Sequence, residues 1–170
     1  ALGDITDTGT LDVTGDATFR ANALGADIVL DDASNRFGGA VAFASAGGLA
    51  DLTFVDTTAV ELPSVTLTGN LNVTASGAIT DSGTLLITGT STLAAGVGNN
   101  ITLNTVANDF TGAVLVTSGN DVTLVDADAL VLGASSVSGD LDVTTSGSIT
   151  DSGALAITGT STLAAGAGNN

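Results

Sequence analysis

The chain has 170 residues, a formal net charge of −16, and no Cys, His, Lys, Met, Trp or Tyr. Those absences exclude a disulfide framework and thiolate metal sites, and they exclude Ser–His, Cys–His and Schiff-base catalysis. The acidity is the opposite of the basic footprint that nucleic acid requires, and a negative membrane surface would repel it.

No apolar run reaches the roughly 18 residues of a membrane helix, and five Phe cannot build the two aromatic girdles of a membrane β-barrel. No membrane insertion is therefore expected. The charge does suit solubility of a long, apolar, repetitive chain.

In chain order, short apolar-alternating runs recur at 11–13, 28–30, 41–43, 52–54, 65–67 and 71–73. They continue at 85–87, 101–103, 114–116, 122–124 and 141–143. Gly, Asn, Asp or Ser bounds each run, the signature of strands closed by turns. Val, Ile and Thr favour a pleated, half-buried surface. Residues 93–95 and 126–132 are ambiguous between helix and strand, and each is too short for a stable helix alone.

The runs belong to a long repeat. Residues 77–100, GAITDSGTLLITGTSTLAAGVGNN, return at 147–170 as GSITDSGALAITGTSTLAAGAGNN, and a diverged copy, GDITDTGTLDVTGDATF, occupies 3–19. The expected organisation is one solenoid over 1–170 with repeats at approximately 3–76, 77–146 and a truncated 147–170. A period over the full length marks a repeat architecture and outranks any local motif. Both ends interrupt the pattern, so the chain reads as a piece of a longer array without caps. Its open ends are expected to associate end to end, more strongly as salt screens the charge.

Comparing copies assigns the faces. Leu11-Asp12-Val13 becomes Leu85-Leu86-Ile87 and then Leu155-Ala156-Ile157. The flanks stay aliphatic while the middle varies, and successive strand residues point to opposite faces. Leu85, Ile87, Ile101, Leu103, Leu141 and Val143 are therefore expected inside, and Leu86, Thr102 and Asp142 outside. Phe37 and Phe110 share one repeat position and are expected to cap a corner of the core rather than bind a ligand.

Three short strands in about 24 residues predict an all-β fold, a β-solenoid with coils of roughly 20–25 residues. That is about three coils per 70-residue repeat. Immunoglobulin-like arrays need about 100 residues per unit and longer strands.

The segments GAITDSGTLLITG, STLAAGVGNNITL and NDFTGAVLVTSGNDVTLVDADALVLG resemble the repeats of filamentous-haemagglutinin-like adhesins. Those proteins leave bacteria by two-partner or autotransporter secretion and fold as right-handed parallel β-helices, so the resemblance implies a right-handed parallel β-helix here. The resemblance implies an extracellular or cell-surface shaft that mediates adhesion or filament formation. Its partners would be copies of itself, joined end to end or laterally, or molecules of host or neighbouring cell surfaces.

Against this stand two alternatives. One is a carbohydrate-active β-helix enzyme, a polysaccharide lyase or hydrolase. Asp31-Asp32 is the only adjacent acidic pair, and it reads as a solvated corner rather than a general acid/base dyad. The other is a calcium- or ice-binding surface. Asp109, Asp126 and Asp128 are hard oxygen donors, and AGVGNNITL distantly approaches a calcium nonapeptide with Asn100 where the liganding Asp would stand. No Thr-x-Thr motif recurs at coil spacing. The expectation is no enzyme, no cofactor, no catalytic residue and no metal site.

Overall fold

The computed structural model describes residues 3–168. Among these residues there are 23 strands and no helix, and every strand pairing is parallel. The chain winds as a parallel β-solenoid of about eight turns with three faces.

The first face carries Ile5–Thr6, Ala26–Leu30, Leu49–Asp56, Leu71–Ala75, Ser91–Ala94 and Val114–Ser118, followed by Ser135–Val137 and Leu155–Ile157. The second carries Asp12–Val13, Arg36–Phe37, Val60–Leu62, Ile79–Asp81, Ile101–Leu103, Val122–Asp126, Leu141–Thr145 and Ser161–Ala164. The third carries Ala17–Ala21, Val41–Ser45, Val65–Leu67, Leu85–Ile87, Asp109–Phe110, Leu130–Leu132 and Ile149–Asp151.

Register fixes the coil lengths. Ile28 lies beside Leu52 and Leu52 beside Leu71, so a coil of 24 residues is followed by one of 19. Leu71 lies beside Ser91 and Ser91 beside Val114, giving 20 and then 23.

The repeat does not close on itself. Its ITD strand occurs as Ile5–Thr6, Ile79–Asp81 and Ile149–Asp151, the first, eleventh and twenty-first strands. Ten strands on a three-faced coil make three turns and a third. Each copy of a motif therefore lands one face further round: ITD stands on the first face, then the second, then the third. At about 4.8 Å per coil, one repeat advances about 16 Å.

Burial follows the alternation. Leu85, Ile87, Ile101, Leu103, Leu141 and Val143 are buried, while Leu86 and Asp142 are exposed and Thr102 is half-buried. Residues 93 and 94 end the strand Ser91–Ala94, and 126–132 form the end of one strand, a corner and the strand Leu130–Leu132. Phe19, Phe37, Phe43 and Phe54 pack as one aromatic group in the lower coils, with centroid separations of 5.0–6.2 Å. Leu155 and Leu163 lie in the last described coil. They are 37% and 51% exposed, whereas their repeat equivalents Leu85 and Leu93 are fully buried.

Stacking at the corners needs glycine where backbones approach. A Cβ at Gly89 would lie 2.5 Å from the carbonyl of Gly69 in the coil below, and one at Gly112 would collide with the carbonyl of Gly89.

Candidate functional site

The polar side chains concentrate at the corners, because each turn leaves backbone N–H groups that the strand ladders do not reach. Asp and Asn there accept the N–H of the equivalent residue one coil on. Asp4 accepts from Asp27, Asp27 from Asp51, Asp51 from Asn70 and Asn70 from Thr90, at 2.5–3.0 Å. A second column runs from Asn100 to Asp121, Asp140 and Thr160 at 2.7–3.2 Å. These oxygens carry coil-to-coil cohesion along the axis.

Two asparagines sit inside the barrel. Asn35 and Asn108 are fully buried at equivalent repeat positions. Asn108 Nδ2 donates to Asp81 Oδ2 at 2.7 Å, and its Oδ1 accepts from the N–H of Leu85 at 2.9 Å. Asn35 repeats the arrangement with Asp7 and the N–H of Leu11. Each aspartate also takes two amides of the next coil: Asp81 those of Asn104 and Thr105, Asp7 those of Asp31 and Asp32. Partial desolvation raises the Asp7 carboxyl, but the hydrogen bonds from Asn35, Asp31 and Asp32 outweigh it and hold the group below its ordinary 3.8. These asparagines were missed in the sequence. Their signal was an Asn preceding both Arg36-Phe37 and Asp109-Phe110, 28 and 27 residues after the ITD aspartates Asp7 and Asp81.

The sequence candidates take structural places. Asp31 and Asp32 offer their backbone amides to Asp7, and the Asp32 carboxylate caps its own turn through Thr10 and Ser34. Asp126 is buried, and its two oxygens accept from the amides of Phe110 and Asp128, both at 2.8 Å. Burial pushes the Asp126 carboxyl above 3.8; those amides pull against it, and the Asp128 charge adds to the rise.

Asp128 takes the N–H of Ala129, and Asp109, half-buried on the outward side of its strand, accepts from Thr111. Among the described residues no three carboxylates converge on one point. Asn100 Oδ1 is occupied by Asp121 and Asn120. Phe37 and Phe110 are both buried.

A family model described as "Repeats of unknown function (DUF5649)" matches residues 1–44, 49–117 and 119–170. The chain belongs to this family. No curated protein and no solved structure matches it. The match over 49–117 runs from the strand Leu49–Asp56 into the strand Val114–Ser118, ten strands in all. The breaks between DUF5649 matches fall at the ends of the equivalent strands Val41–Ser45 and Val114–Ser118.

Proposed function

We propose that this DUF5649 solenoid is a shaft: a structural segment of a secreted or cell-surface bacterial adhesin or extracellular filament, without catalysis of its own. The observation that carries the reading is the rotation of the repeat. A motif that returns on a new face every ten strands gives no face a uniform lattice of one side chain, as ice binding requires. It does give a rod the same chemistry in all three directions, which suits lateral contact with neighbours. The use of corner carboxylates as backbone caps supports the same reading, since carboxylates bound to amides are not placed for acid/base work. Association is proposed with further copies, end to end or side by side, or with molecules of adjacent cell surfaces.

The test is immunolabelling of intact cells of the source organism with antibodies to the purified segment. Surface label that a non-penetrating protease removes supports the shaft. Label that appears only after lysis overturns it.

A further inference from the structure

The chain contains the same inter-coil seam twice, closed once and open once. In the second copy, Leu132 stands beside Val114. Gly133 donates its N–H to the Val114 carbonyl at 2.7 Å, and the N–H of Val116 donates to Ser135 Oγ at 3.1 Å. In the first copy, the residues equivalent to Val114, Val116, Gly133 and Ser135 are Val41, Phe43, Pro63 and Val65.

Neither closing bond can form there. Proline has no N–H to give to Val41, and valine has no oxygen to take the N–H of Phe43. Residues 46–48 have no counterpart before Gly119; beyond them Leu49 stands beside Leu67 as Gly119 stands beside Val137, so the seam is open along Val41–Ser45 and closes again at Leu49. Among the described residues the strand Val41–Ser45 pairs only with Ala17–Ala21. Because Ala17 donates to the Ala40 carbonyl on that side, the backbone groups of Val41 and Phe43 face the other way. Across the corner from them lies Val60–Leu62, the terminal strand of the second face's sheet, while the next strand of their own face, Val65–Leu67, pairs instead with Leu49 through Leu67. Between the two edges lies a cleft of about 710 Å³ lined by Phe37, Val41, Phe43, Phe54, Glu61 and Pro63.

We propose that this seam binds an extended, basic polypeptide segment of another protein, which adds as a strand to the outer edge of Val41–Ser45. The closed copy shows what the edge takes: a polypeptide that gives an N–H to the first valine's carbonyl and an oxygen to the amide two residues on. A guest strand supplies both from its own backbone. Its side chains alternate, so apolar residues point down onto the phenylalanines and the others point out.

Outside, Glu61, the chain's one glutamate, stands exposed where the closed copy has Val131. Arg36, also on the rim, is engaged with Asp12 at 3.4 Å. The cationic character of the guest follows from Glu61 and the net charge of −16, which also disfavours a second copy of the chain. The inference does not depend on the shaft reading.

The probe is a fluorescein-labelled peptide, Lys-Val-Thr-Val-Lys-Val-Thr-Val-Lys, with the same sequence carrying Glu for Lys as control. Anisotropy is read against the intact chain and against a Pro63→Gly/Val65→Ser double variant, which restores both closing groups. Amide exchange at Phe43 is followed in parallel, and circular dichroism verifies that the variant folds.

The expected result is saturable binding of the basic peptide with slowed exchange at Phe43, about tenfold weaker binding to the double variant, and weaker binding still of the acidic control. Equal binding to the double variant, or equal binding of the acidic peptide, overturns the proposal. So does an absence of binding to the intact chain. So too does protection of Phe43 that appears without peptide and rises with protein concentration, which would assign the edge to a second copy.

Discussion

Asn108 lies fully buried against Asp81, giving its amide proton to one carboxylate oxygen at 2.7 Å while its own oxygen holds the N–H of Leu85. The pair ties one coil to the next from inside the barrel, and the Asp7–Asn35 pair does the same in the first repeat. Asn108→Ala removes a hydrogen bond to a charged group and strands a buried N–H, at a cost of about 2–4 kcal/mol. Urea unfolding followed by circular dichroism is expected to show this loss. Asn108→Asp places a second carboxylate against Asp81 and is expected to destabilise the fold as well.

Ile87 and Leu86 are neighbours on opposite sides of one strand, the first 1% and the second 40% exposed. Ile87→Asp buries an unpaired carboxylate and is expected to cost at least about 3 kcal/mol. Leu86→Asp recreates Asp12 of the first copy and is expected to stay within about 0.5 kcal/mol. Equal melting shifts for the two variants would contradict the facing assignment.

Ser91 Oγ is a buried polar atom without a partner, in a strand whose first copy has Ala17 at that position. Ser91→Ala is expected to raise stability by up to about 1 kcal/mol, because it removes an unsatisfied hydroxyl at little change of volume. Calorimetry on the single variant measures the effect.

The pH profile combines two carboxylates shifted in opposite directions. The folded pKa of Asp126 lies above 3.8, so as pH falls through it the native state takes up a proton that the unfolded chain does not, and stability rises. Asp7 lies below 3.8 when folded. Its contribution is present above that value and is lost as pH falls through the folded pKa. Falling pH also reduces the self-repulsion of the −16 charge. The melting temperature is therefore expected to rise from pH 7 toward the acidic pI of about 4.1 and to fall again below it.

Strand identity and facing were legible in the sequence because internal copies differ where side chains face solvent, as Asp12, Leu86 and Ala156 do, and agree where they face the core. The rotation of the repeat was not. It depends on counting every strand, and strands such as Arg36–Phe37 and Asp109–Phe110 contribute only one inward side chain each, too little to register as alternation. Nor was the depth of Asn35 and Asn108 visible, since composition places asparagine at corners. Their burial follows from partners 28 and 27 residues back, Asp7 and Asp81.

Ten strands per repeat on a three-faced coil fix distances that spin labels measure, and the cysteine-free chain is ready-made for such labels. Thr80, Thr102, Thr123 and Asp142 stack in register on one face, so Thr80→Cys with Asp142→Cys spans three coils, about 14 Å along the axis. Thr150 is the repeat equivalent of Thr80 and sits on a different face. The pair Thr80→Cys with Thr150→Cys is therefore expected to give the longer distance, its axial rise of about 16 Å increased by the separation across the coil. If Thr80–Thr150 is instead the shorter of the two, the repeat closes on a whole number of coils and the shaft does not present each motif on a new face.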